Sequence, residues 1–137
     1  MGDEVMHKKI VATTTLLATL LAIPVTAQTR SGRIEGALSY PSEYIPALRA
    51  CAKNIRNNSL HCTQTKKNQK QYKLQVPAGT YHVFATATIA GEKETAYYSR
   101  AVTCGLRYGC NDHSPISVTV KSGQVVKGIN PQDWYNK

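Results

Sequence analysis

The residues best equipped for chemistry are four cysteines, the histidines and an arginine–tyrosine pair. Cys51 with Cys62, and Cys104 with Cys110, form two close pairs along the chain. Neither has Cys-x2-Cys spacing, so a structural zinc site is a poor fit. An even count suits disulfides instead. Four cysteines allow three pairings. Cys51–Cys62 and Cys104–Cys110 is favoured, because each pair brackets its own short loop, and each bridge would contribute roughly 2–3 kcal/mol through chain entropy. His61, His82 and His113 follow the first cysteine. Asp112-His113 sets a carboxylate beside an imidazole, a group that titrates near neutral pH. That is the raw material of a proton-transfer or metal site. Asn111-Asp112 is equally good turn chemistry, bonding local backbone.

Cys104-Gly-Leu-Arg-Tyr-Gly-Cys110 would close a small rigid loop presenting Leu106, Arg107 and Tyr108. Rigidity lowers the ordering cost of binding, and Tyr and Arg are enriched at interface hot spots. Tyr97-Tyr98 and Trp134-Tyr135 add aromatic faces that suit sugars, although a tryptophan near a terminus also serves to staple the chain end. No nucleophile-elbow motif accompanies the serines. The expectation is therefore no catalytic residues, no metal and no cofactor.

Charge is the strongest bulk signal. The formal net charge is +9. Its densest stretch holds Arg49, Lys53, Arg56, Lys66, Lys67, Lys70 and Lys73 with no acid among them. Such a segment draws polyanions by long-range electrostatics; the plain alternative is a solvated face. Outside the cytoplasm the candidate polyanions are lipopolysaccharide, anionic phospholipid headgroups, acidic glycans or released DNA. Lys66, Lys67 and Lys70 are the candidate electrostatic contacts, and Arg107 with Tyr108 the candidate specific ones. No motif for sequence-specific nucleic-acid recognition is present.

The elements that must position these residues read as strands. Ile34, Gly36, Leu38 and Tyr40 alternate with polar or small residues, the period-2 mark of a half-buried strand. Pro41-Ser42-Glu43 breaks it, and a second strand is expected over Ile45 to Ala52. Asn54 to Ser59 is turn-rich, so a hairpin there would set Cys51 and Cys62 on neighbouring strands. Gln64 to Gln71 carries nothing apolar to bury and reads as an exposed loop. Tyr72, Leu74 and Val76 lead to the Pro77-Ala78-Gly79 turn. Thr80 to Ile89 follows with Tyr81, Val83, Ala85 and Ala87 on one face. Strands are expected again over Thr95 to Cys104, and then in a closing hairpin, Ser117 to Val120 and Val125 to Ile129 around Ser122-Gly123. About seven strands with frequent turns make an all-β sandwich.

The N-terminus reads as a signal peptide over residues 1–27. His7-Lys8-Lys9 is basic, and the apolar run Ile10 to Ile23, broken only by threonines, falls short of the roughly 20 residues of a spanning helix. Val25 and Ala27 suit cleavage before Gln28. Two acids precede the basic stretch, which suggests a true start at Met6. Residues 28–137 then form one domain, located in the periplasm or secreted.

Tyr72-Lys-Leu-Gln-Val-Pro-Ala-Gly-Thr-Tyr-His-Val-Phe-Ala85 resembles the core hairpin of carboxypeptidase regulatory-like domains, which have the transthyretin-like (prealbumin-like) sandwich. Ile34 to Tyr40 resembles their first strand, and Val118 to Ile129 their closing hairpin. A narrower resemblance, to small secreted bacterial stand-alone forms without assigned function, rests on Tyr40-Pro-Ser-Glu43 with Ile45-Pro46, Cys104-Gly-Leu, Cys110-Asn-Asp-His113 and Asp133-Trp-Tyr135. It implies an exported module and no known chemistry; fold alone does not select a role. 5-Hydroxyisourate hydrolase shares the fold but ends Tyr-Arg-Gly-Ser, where this chain ends Trp134-Tyr-Asn-Lys137. Intradiol dioxygenases bind iron through two tyrosines and two histidines, and no spacing here singles out such a set.

The sequence thus leads to an exported, non-enzymatic binding module whose basic surface faces an anionic envelope component or an acidic protein, with carbohydrate as a further candidate. The alternatives are a small hydrolase or metal-dependent enzyme around Asp112 and His113, and a structural accessory of an envelope or secretion assembly joined through an edge strand.

Overall fold

The structure, a computed structural model, describes residues 12–22 and 30–137. The basic stretch and the cleavage site expected of a signal peptide lie outside the described residues. Part of the apolar run is described: residues 12–22 have neither helix nor strand, and Leu16, Leu17, Leu20 and Leu21 are exposed.

Alternating apolar residues build two facing sheets. The first contains β4 (Gln71–Pro77), β1 (Ser31–Ala37) and β8 (Val125–Val126), in that order. The second runs β3 (Leu60–Gln64), β2 (Arg49–Asn54), β5 (Gly79–Ile89) and β6 (Glu92–Tyr97), with β7 (Val118–Val120) pairing the start of β5. Ile34, Tyr72, Leu74 and Val76 from one sheet meet Ala50, Ala52, Tyr81, Val83, Ala85, Ala87 and Ala96 from the other. The many alanines on the second sheet leave room for two buried tyrosines between the layers. Tyr72 donates its hydroxyl to Ile129 O at 2.6 Å, and Tyr81 to Pro77 O at 2.6 Å. Each polar tip thereby finds the partner that burial demands.

Both disulfides pair as the spacing favoured. Cys51 lies directly opposite Cys62 in the β2–β3 ladder. The bridge faces away from the core, in a row that continues through Phe84 and Tyr97 across β5 and β6.

Several expected elements differ. Pro77-Ala78-Gly79 does not close a hairpin: β4 pairs with β1 and β5 with β2, so the chain crosses there from one sheet to the other. The closing hairpin also divides. β7 adds antiparallel to β5, whereas β8 adds parallel to β1; the described residues form eight strands where about seven were expected. The strand expected over Thr95 to Cys104 stops at Tyr97, and Arg100–Cys104 forms a one-turn helix, α1, closed by Gly105 at φ 99°. The second strand begins at Arg49 rather than Ile45. Thr65, in the segment expected to be wholly exposed, is buried, and its hydroxyl bonds Leu48 N and Leu48 O. Tyr97 and Tyr98 are both half-buried, where strict alternation would have hidden one.

Trp134 is the staple its terminal place suggested. It is buried, donates Nε1–H to Ser39 O at 2.8 Å, and meets the Tyr40 ring edge-on at 5.0 Å. Among the described residues no helix is long and apolar enough to cross a membrane.

Candidate functional site

The segment between β6 and β7 gathers the chemistry. It leaves the sheet at Tyr97, turns through α1, closes the Cys104–Cys110 bridge, and returns by Asp112, His113 and Ser114. Two ties fix its base: Arg100 N donates to Ser114 O, and Ile116 N to Tyr98 O. Gly105 ends the helix in the left-handed region that favours glycine. Leu106 follows at φ 52°, a costly conformation for a leucine, held by its N–H bond to Ala101 O and by the bridge around it.

Asp133 anchors this segment to the C-terminal one. The carboxylate is fully buried. Its Oδ2 accepts from Ser99 Oγ at 2.7 Å and from His113 Nδ1 at 2.7 Å, and its Oδ1 accepts from Tyr135 N at 3.2 Å. A carboxylate only accepts, so Nδ1 of His113 carries the shared hydrogen, while Nε2 accepts in the neutral ring and donates in the charged one. His113 is about one-third exposed and lines a surface groove of about 310 Å³ with Leu106, Arg107, Tyr108, Cys110 and Tyr135.

Serine, aspartate and histidine therefore meet, but not in hydrolase order. A nucleophilic serine would share its proton with Nε2 of the histidine. Here Ser99 is buried and spends its hydrogen on the aspartate. Among the described residues no hydroxyl or thiol lies within hydrogen-bond distance of Nε2. The arrangement can orient an imidazole and present it as an acceptor.

Asp112, the carboxylate singled out beside His113, faces elsewhere. Its Oδ1 accepts Ser114 N at 3.0 Å and its Oδ2 lies 3.7 Å from Arg100 Nε. Hydrogen bonding from Ser114, with help from the Arg100 charge, holds its carboxyl below the usual carboxylate range. This is the turn chemistry that Asn111-Asp112 advertised. The acid that does meet His113 is Asp133, twenty residues on. Asp133-Trp-Tyr135 was visible in the sequence only as a terminal motif, and no spacing signal tied it to a histidine.

The two sets of candidate contacts lie apart. Lys66, Lys67 and Lys70 are exposed on the loop leaving β3, while Arg107 and Tyr108 are exposed on the loop leaving β6. β3 and β6 are opposite edges of their sheet. Lys67 Nζ sits 4.6 Å from the Tyr44 ring centre, and Asn68 ties the lysine loop to Ile45. Arg33 and Lys73 share Glu35 on the outside of the other sheet. The basic stretch from Arg49 to Lys73 thus wraps around one edge rather than forming a single patch. Of the aromatic candidates, Trp134 is buried, whereas Tyr135 and Tyr108 are open to solvent. Among the described residues no cluster of three or more His, Cys, Asp or Glu side chains could hold a metal ion. The chain matches no family model, no curated protein and no solved structure.

Proposed function

We propose that this domain is a non-enzymatic recognition module working outside the reducing cytoplasm, with an anionic component of the cell envelope as its partner. One observation carries the reading: Leu106, Arg107, Tyr108 and Tyr135, all exposed, converge on a groove whose wall is pinned by a disulfide. Tyr108 is fully exposed, and tyrosine is among the residue types enriched at interface hot spots. Two disulfides point to an oxidising compartment. Residues 12–22, apolar and packed on nothing among the described residues, suit a leader removed on export. Two facing all-β sheets with a Gly-containing first strand support a transthyretin-like sandwich as our proposed fold, although two of the segments that carried the resemblance cross between sheets instead of closing hairpins.

The decisive test is co-sedimentation of the oxidised domain with peptidoglycan and with phosphatidylglycerol vesicles, at low and at physiological salt. Retention at physiological salt that Arg107→Ala abolishes supports the reading. Charge reversal of Lys66, Lys67 and Lys70 is expected to weaken only the low-salt component, because exposed charges more than a Debye length from the ligand are screened. Binding that vanishes with salt in the wild type would sink the proposal and leave the basic face as solvation.

A further inference from the structure

We infer that the groove beside the disulfide loop takes an acidic saccharide, which narrows the anionic partner proposed above and rests on that reading. Four of the six lining residues each fit one feature of such a ligand. Tyr108 and Tyr135 offer two solvent-facing rings, suited to the C–H faces of a pyranose. His113 supplies a different handle. Asp133 holds Nδ1 as a donor, which leaves Nε2 free to bond a ligand hydroxyl, as acceptor in the neutral ring or donor in the charged one. Arg107 lies on the same wall, exposed and outside every ion pair found among the described residues, with the planar fork that binds carboxylates two hydrogens at a time.

The electrostatics agree. No acidic side chain lines the groove. The nearest buried one, Asp133, lies behind the His113 ring with Oδ2 bonded to Ser99 and His113, and Arg107 supplies the opposing positive charge on the groove wall. A volume of about 310 Å³ sits at the small end of the ~300–1,000 Å³ typical of ligand sites. The groove is open, as binding part of a longer chain requires. A lipid surface would ask for several cations on one face. Here Arg107 is the sole cation lining the groove, and the lysine loop leaves the opposite edge of the sheet.

The test is an NMR titration of the oxidised domain with four probes: a galacturonic acid tetramer, maltotetraose, polyphosphate and a glutamate decapeptide. The galacturonate is expected to shift the amides of Leu106–Cys110 and Tyr135 and the ring signals of His113, with maltotetraose binding more weakly. Tyr108→Ala should weaken galacturonate binding about ten-fold, the scale of one hot-spot contact, and leave polyphosphate binding unchanged. Arg107→Gln should remove the preference for galacturonate over maltotetraose. Tyr108 is fully exposed, so its loss leaves the fold intact. Equal or tighter binding of polyphosphate or of the glutamate peptide at this groove would overturn the inference, as would shifts confined to Lys66–Lys70. Arg107-dependent retention on vesicles without galacturonate binding would overturn the saccharide assignment alone. Failure with vesicles, peptidoglycan and galacturonate together would remove both readings.

Discussion

Ser99 Oγ and His113 Nδ1 converge on a single oxygen, Oδ2 of Asp133, each at 2.7 Å. That oxygen joins three stretches of chain: the N-cap of α1, the return from the disulfide loop, and the C-terminal segment. Replacing Asp133 by alanine orphans a buried serine hydroxyl and unties the loop. A loss of about 3 kcal/mol is expected, read as a shifted urea midpoint. His113→Ala should cost less, because the half-open ring leaves a gap that water can reach. Equal costs would mean that the carboxylate is not the common anchor.

Gly36 tests the closeness of the C-terminal segment to β1. A Cβ at this position would lie 1.8 Å from Ile129 O, a backbone atom with no freedom to swing aside. Gly36→Ala is expected to destabilise by about 2–3 kcal/mol. Gly91→Ala is a useful contrast: its Cβ would meet nothing within 4 Å, but its φ of 83° strains any other residue. The first penalty is packing and the second is backbone.

Burial holds the Tyr72 hydroxyl well above the ordinary tyrosine range. The folded state therefore keeps its proton at pH values where the unfolded chain, near 10.0, has released it. Stability from this group is complete below the unfolded value and drains away as pH climbs toward the folded one. Tyr72→Phe forfeits the bond to Ile129 O, about 1 kcal/mol, but removes that alkaline slope. Urea midpoints at pH 8 and pH 11 should show the wild type ahead at the lower pH and its advantage lost or reversed at the higher. Parallel changes in both proteins would refute the assignment.

Ala90 is a place where the chain can be improved. It occupies the β5–β6 hairpin turn with Gly91, and both residues have positive φ, 50° and 83°. This turn prefers Asn-Gly, since alanine is strained in the left-handed region. Ala90→Asn should add about 1 kcal/mol, measurable as a higher melting temperature. No gain would mean that the turn relaxes in solution to another type.

Where neighbours in sequence are also neighbours in space, the sequence was readable. Tyr72, Leu74 and Val76, and Tyr81, Val83, Ala85 and Ala87, turn inward because period-2 patterning is a local property. The disulfide partners were readable because short loops set them face to face. The failures are long-range. Ser122-Gly123 has hairpin chemistry, yet Val118 and Val125 find better partners in Tyr81 and Arg33, on different sheets. Thr65 looks like loop composition until Leu48 offers it both a donor and an acceptor. α1 spans five residues without a side-chain cap, too short for any helical period to register. The meeting of His113 with Asp133 depends on the same tertiary closure, so the sequence offers the histidine only the adjacent acid, Asp112.

The divergence of β7 and β8 onto separate sheets has a bearing on how the molecule comes into being. β1 receives its parallel neighbour only when Val125 and Val126 arrive, and the Trp134 bond to Ser39 spans ninety-five residues. Early strands can pair among themselves and pack across the core, and the last segment adds the closing ties to β1 and Ser39. Such non-local closure is slow to form. Without that segment β1 would keep an open edge on the side away from β4, and Ser39 O would lack its indole partner.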